Sequence, residues 1–491
     1  MMSNALVRRY AVSSLRPQHL WVNISIYVIG LGLIGILNGL ALRSGAAFNG
    51  DLSSCLRAVY GQLLTIQLLL LWLWGGYGAG NALREEMLNK SYDFFQMLPL
   101  SSGQKLVGVA VGRNLLPLAL AAVTAILQVL IGLVGKVPIF LQMQIAFIVV
   151  AATWLIWTVS VLSSVRLRKE KKQNRNTSVV VLIFFALWLI PGILHVVTLT
   201  SSVVKIENWT VPFFSADVPA ILLTGAIALY IAFWATLGAM RQLSRSDLTI
   251  FSAAGSYGFL AGCQVIALGL FWAGLTSSEP AVWFIYAAVT HVLVIVTPFG
   301  LLRSYDQYME LSYDLARTHG GGRMLDRVFL TAVNPVAWSK LFGIWAVSSL
   351  VAAGLNSVAA VGWTSVLIVC VFFAWVVFML LAELAIVGRP KNEKLKYLAL
   401  FMALVYLFLP MILSGVLDEG GIFAFSFLGV WVSVAERVSE NAQAEWMLLP
   451  PLLLNILLVA ILAVIIRRRY GDILKARRSM LARNAGEPAS V

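Results

Sequence analysis

The residues able to do chemistry in this chain are few and far apart. Three cysteines, Cys55, Cys263 and Cys370, form no CxxC pair, so they build neither a disulfide framework nor a thiolate zinc site. Four histidines show no HxxxH spacing, and no HExxH or GxSxG run occurs. A P-loop requires GxxxxGK[ST], whose backbone N–H groups cradle phosphates, and the chain has none. One GxGxxG is present, at Gly30, Gly32 and Gly35. It lies inside a long apolar run, whereas the dinucleotide fingerprint needs a strand–turn–helix setting. Small residues for close helix packing are the better reading there, and at Gly75, Gly76, Gly78 and Gly80. The expectation is a chain that is not an enzyme and holds no catalytic, cofactor-binding or metal site.

Composition says what surrounds these residues. Of 491 residues, 60% are hydrophobic and 12% charged, against about 25% charged in an ordinary soluble domain. So few charges cannot cover a water-facing surface, so the outer surface must mostly face lipid. The formal charge of +14 would suggest nucleic acid in a soluble protein. In a membrane protein it reads instead as basic cytoplasmic loops, with no nucleic-acid partner.

A spanning helix needs about 20 mostly apolar residues. Twelve runs qualify, near 21–43, 56–80, 106–134, 139–165, 178–200, 217–240, 251–275, 281–303, 336–354, 361–388, 397–415 and 447–466. With the N-terminus inside, only Arg43, Arg57, Lys136, Lys205 and Arg437 of the 36 Lys and Arg fall outside, as the positive-inside rule demands. The expected fold is an all-α polytopic membrane protein with both termini cytoplasmic. The basic run from Arg166 to Arg175 reads as a topology anchor.

The spans divide into two six-helix halves, 1–250 and 251–491. The second half carries a cytoplasmic loop at 304–340 and a basic tail. Asp93, Pro99 and Lys105-Leu-Val-Gly108 in the first half are echoed by Asp326, Pro335 and Lys340-Leu-Phe-Gly343 in the second. Six plus six spans in one orientation form a parallel repeat. Intramembrane charge, which marks ion relays, is scarce. Glu383 sits near the end of its span, and His195 and His291 read as packing histidines. This weighs against a twelve-span secondary transporter. A membrane-embedded glycan-handling enzyme would need a charged outer site, and the acids of the longest outer loop, 416–446, read as a solvated rim.

What remains is the loop 81–105, Arg84-Glu85-Glu86 through Asp93-Phe94-Phe95 to Leu98-Pro99-Leu100-Ser101. Its apolar side chains suit a short amphipathic helix lying on the membrane or in a partner's groove. Pro99 and Ser101 should end that helix and start the next. Here the chain resembles the ABC-2 type permeases, the membrane subunits of ABC exporters, in the acidic element, the Leu-Pro-Leu-Ser turn and Lys105-Leu-Val-Gly108 entering the third span. The resemblance implies an ATPase-coupling role for Glu85, Glu86, Asp93, Phe94, Phe95, Leu98 and Pro99, and by the internal repeat for Asp326 and Pro335. It implies cytoplasmic ABC ATPase subunits as partners, two of them, with ATP bound by those partners. It also implies a multi-pass place in the plasma membrane, in bacteria the inner membrane. Ala5 to Leu20 resembles the family's interface helix, with Leu6, Tyr10 and Leu15 toward lipid and Arg8, Arg9 and Arg16 toward headgroups. The outer loops near Pro212 to Pro219 and Phe423 to Ala435 resemble its short re-entrant helices.

Overall fold

The computed structural model describes residues 4–14, 17–44, 51–88, 92–167, 209–244, 250–277, 280–296, 335–387, 452–465 and 468. The spans expected at 178–200 and 397–415, Asp326, His195, Leu15, Arg16 and the loop Phe423–Ala435 lie outside them. The chain divides into two compact units. The first is Met1–Val211 with Ala216–Ile250, and the second is Pro212–Ser215 with Phe251–Val491.

The described residues are helical apart from one hairpin and short turns. Six helices are long and apolar enough to cross a membrane: Leu20–Ser44, Leu52–Glu86, Leu115–Val134, Ile139–Val165, Ala220–Ser244 and Ala254–Thr276. Shorter apolar helices run over Val282–Val294, Lys340–Asn356, Ala360–Phe373 and Leu452–Ile465. Large apolar side chains such as Ile26, Ile36, Ile126 and Val150 face outward, as helices in lipid require, because hydrocarbon is as good a solvent for them as a protein core.

In the first unit, α1 (Ala5–Ser14) precedes α2 (Pro17–Ser44). Next come α3 (Leu52–Leu68), a π-helical turn (Leu69–Trp74) and α4 (Gly75–Leu88) in one continuous rod. Asp51 caps α3, accepting from the Ser53 and Ser54 N–H groups. The Ser54 and Ser53 hydroxyls, and then these N–H donors, hold its carboxyl down to about 2. The rod continues through Arg84-Glu85-Glu86, beyond the expected end near residue 80, because these residues are strong helix formers. Then follow α5 (Tyr92–Met97), α6 (Ser102–Gly112), α7 (Leu115–Val134), α8 (Ile139–Leu167) and α9 (Ala220–Ser244).

The expected single span 106–134 is interrupted at Arg113–Asn114. Pro117 supplies the cause. It has no N–H for the Arg113 carbonyl, and its ring crowds that carbonyl. The packing then sorts into pairs. α3 lies along α7, α4 along α8, α8 along α9, and α6 against α1.

Of the two close-packing expectations, the first changes and the second holds at Gly75. At Gly30, Gly32 and Gly35 nothing among the described residues comes within 4 Å of an added Cβ, so these glycines face open space there. At Gly75 a Cβ would stand 2.6 Å from the Trp157 indole nitrogen, so that approach does require glycine.

The loop near Pro212 is not a re-entrant helix. Thr210–Phe213 (β1) and Ala216–Pro219 (β2) pair as a two-stranded hairpin. Phe214 and Ser215 both take positive φ, 47° and 66°, the geometry of a two-residue hairpin turn whose twist matches its strands.

The second unit contains α10 (Ala253–Thr276), α11 (Pro280–Val296), α12 (Pro335–Asn356), α13 (Val358–Val387) and α14 (Leu452–Ile465). Its core is apolar around Trp283, Tyr286, Trp345 and Leu367. The Phe214 N–H donates to the Gly269 carbonyl of α10, 3.1 Å away, and the Phe214 ring lies 5.3 Å from that of Trp272. Inside the unit, the Gln264 amide lies 3.0 Å from the Tyr286 hydroxyl and 2.9 Å from that of Ser348, joining α10, α11 and α12. His291 is buried with its ring against Trp345, centroids 4.7 Å apart.

Polar bonds between apolar helices are worth about 0.6 to 2 kcal/mol each. Gln264→Leu strips both hydroxyls of this partner. The expected outcome is a lower unfolding temperature in detergent by thermal melting. An unchanged melting curve would show that the amide holds nothing.

Candidate functional site: the end of α4, α5 and the entry to α6

The segment singled out by sequence is a compact corner. α5 is one and a half turns long, and its Tyr92 and Phe95 rings face inward and stack, centroids 5.8 Å apart. Leu98-Pro99-Leu100 then turns, with the Leu100 N–H bonded to the Leu98 carbonyl at 2.7 Å. Ser101 starts α6 with a full capping box. Its hydroxyl accepts from the Gln104 N–H at 3.2 Å, and the Gln104 side chain accepts from the Ser101 N–H at 2.9 Å. Two orphan donors of the helix start are thereby satisfied. Met97, 75% exposed, and Pro99 form the outward tip.

The base of this corner is an ion-pair cluster. The Glu86 carboxylate is 4% exposed. It receives Arg9 at 2.9 Å and the Tyr10 hydroxyl at 3.0 Å, both from α1. A carboxylate this buried is tolerable only when paired and hydrogen-bonded. Burial first, and then the Glu86 charge, push the Tyr10 phenol far above its usual range. It therefore stays protonated and donates. One residue back, Glu85 pairs with Arg113 at 2.6 Å, tying α4 to the start of the break after α6. Lys105 is buried with its ammonium 5.8 Å from the Phe95 ring centre, and burial lowers its pKa.

The α1 helix is part of the same block. Leu6, Val7 and Tyr10 are buried against α6, not turned to lipid as expected for Leu6 and Tyr10. The reason lies in Gly108 and Gly112. A Cβ at Gly108 would stand 2.6 Å from the Leu6 Cβ, and one at Gly112 would stand 3.0 Å from the Val7 Cα. Without side chains there, α1 settles directly on the α6 backbone. This explains Lys105-Leu-Val-Gly108 physically: the lysine meets Phe95, the leucine is buried in the core, and the glycine admits α1. At Lys340-Leu-Phe-Gly343 the parallel is partial. Lys340 lies 5.6 Å from the Tyr257 ring centre and Leu341 is buried, but among the described residues no neighbouring element comes within 4 Å of a Cβ added at Gly343.

The sequence-predicted residues therefore divide. Glu86 and Phe95 are buried in the base, Glu85 is half-exposed and paired, Leu98 is half-buried, and Pro99 is exposed. Asp93 and Phe94 lie on α5, and Pro335 opens α12. Arg9 and Tyr10, expected to face headgroups and lipid, meet Glu86 instead, and Arg113 was not singled out from sequence. The signal available for Arg113 was a charge eight residues into an apolar run. Among the described residues no group of three or more His, Cys, Asp or Glu is placed to hold a metal ion. Comparison with protein-family models, with curated proteins and with solved structures finds no match.

If the Glu86 cluster fastens α1, Arg9→Met and Glu86→Gln should not be additive. With Arg9 half-exposed, the coupling should be roughly 1 kcal/mol. A double-mutant cycle of unfolding free energies checks this, and strict additivity would remove the pair from what holds the corner.

Proposed function

We propose that this chain is the permease subunit of an ABC-2 type transporter, an exporter. In this reading it crosses the membrane twelve times in two six-span halves, with both termini in the cytoplasm. Two separate cytoplasmic ATPase subunits bind and hydrolyse ATP, and the corner at α5 receives their motion. The observation that carries the reading is the exposed tip of Met97 and Pro99 on an internally paired base. A lever must present a small docking surface and must not deform under load. A turn closed by a capping box on one side and a buried ion pair on the other meets both conditions. The motif Leu98-Pro99-Leu100-Ser101 that resembles the family is this turn.

The base also changes how the coupling residues divide their work. Pro99 and the outward part of α5 would touch the ATPase. Glu86 and Phe95 would act by holding the corner in shape, and α1 would move with it.

Purification of the tagged chain from mild detergent tests the proposal. The expected companion is a stoichiometric protein with Walker motifs. In the reconstituted complex, Pro99→Leu and Asp93→Lys should leave the chain in the membrane while uncoupling ATP hydrolysis from transport. Recovery of the chain with no ATPase, together with proton-driven transport by the purified chain alone, would overturn it.

A further inference from the structure

Both rods leading to the corner are interrupted, and each interruption frees a backbone carbonyl that a side chain then takes. In the α3–α4 rod the Gly75 N–H reaches back five residues to the Leu70 carbonyl. Regular α geometry would have sent it to Leu71. The Leu71 carbonyl instead receives the Trp157 indole N–H of α8, at 2.8 Å. In the α6–α7 rod the Asn114 N–H turns to the Val111 carbonyl, at 3.1 Å. Its α-helical acceptor would have been Ala110. The Ala110 carbonyl receives the Asn114 side-chain N–H at 2.9 Å. The same carboxamide nitrogen also donates to the Gly75 carbonyl, at 2.7 Å. The two interruptions are thus at one level and share one pin, Asn114, which is 1% exposed.

Packing changes partners across this level. On one side α3 lies along α7. α2 is fastened to them by an Asn38–Gln62 side-chain bond of 2.7 Å and a Tyr27–Thr124 bond of 2.8 Å. On the other side α4 packs on α8, and α6 on α1 and α9; α8 and α9, packed on each other, run past the level. Contacts between the two groups are sparse by comparison. They include Gln142 beside Gly132, the small cluster of Tyr60, Val137 and Leu141, and the pinned level itself. Single π-turns in α-helices recur at functional sites, and sharp kinks arise at such turns and at proline. Irregular backbone at membrane depth persists only where other groups satisfy it. Here Trp157 and Asn114 do so without forcing either rod back to regular helix.

We infer that the π-turn Leu69–Trp74 and the break Arg113–Asn114 form one joint, on which the group α2, α3 and α7 shifts as a body against the group α1, α4, α5, α6, α8 and α9. The joint carries displacement of the corner to α3 and α7, whatever drives it. Packed helices move by small sliding steps of this kind. Asn114 is the positioning residue that keeps the two hinges in step.

A π-turn is an α-helix with one residue inserted, so deleting Leu73 restores a regular rod with the faces on either side in register. The test uses the full-length chain in lipid nanodiscs, with Cys55, Cys263 and Cys370 replaced by serine and spin labels on exposed positions. Labels at Met97 and Ile126 lie in different groups, and labels at Met97 and Val150 lie in the same one. Pulsed dipolar spectroscopy should give a broader distance distribution for the first pair than for the second. Deleting Leu73 should narrow the first distribution, and Asn114→Leu should widen it, both leaving the second unchanged. If the deletion variant fails to fold, Asn114→Leu decides the matter alone. Equal widths for the two pairs, or a first pair that no variant alters, would overturn the joint. The measurement needs no ATPase and no substrate, so its outcome is independent of the transporter reading.

Discussion

An unpaired peptide group in hydrocarbon costs several kcal/mol, and much of this structure answers to that penalty. Regular helices satisfy it within themselves, which is why the described chain is almost wholly helical. Wherever the helix departs from regularity, a side chain is found supplying the missing bond. Trp157 serves the Leu71 carbonyl, Asn114 serves Ala110, and Ser101 with Gln104 serves the start of α6. Among the described helices such places are few because each needs a partner nearby, and two of them, the π-turn and the break at Asn114, share one.

The same constraint explains the distribution of charge. Glu86 is buried, but α1 brings Arg9 and Tyr10 to it. Arg113 lies inside an apolar run, but Glu85 reaches it from α4. Singly, pairs with such exposed members contribute about 1 kcal/mol or less. Here they hold three chain segments, α1, α4 and α6, around a short helix that could not be stable alone, since isolated helices of this length are marginal at best. The corner is built from non-local parts: residues near 9, 86, 95, 105 and 113 meet in one place.

An internally paired corner set beyond two interrupted rods is a mechanical arrangement. In the proposed reading the corner delivers displacement, and the interruptions give it somewhere to go. In the proposed joint, α3 and α7 slide against α8 and α9, which they touch at few places. The proposed transporter role and the proposed joint fit together in this way, though each stands on its own observations.

Much of the helical layout was legible in the sequence. Length and apolarity alone marked α2, α8, α9, α10 and α12 to within a few residues, because the period and extent of an apolar run are local properties. The Pro99-to-Ser101 turn was legible for the same reason, since caps and prolines act on their immediate neighbours. The burial of Glu86 and Phe95 was not, nor was the inward face of α1. An acidic residue in an apparent loop reads as exposed until its partner is known, and Arg9 lies 77 residues away. Pro117 announced a break in principle, but a proline near a helix start is often tolerated, and only the bond from Asn114 to Gly75 reveals that the break lies level with the π-turn. The sequence by itself determined which segments are helices and roughly where they end. Tertiary structure decided which charges are paired, which glycines admit a neighbour and where the rods are jointed, because those outcomes depend on what distant segments bring to each position.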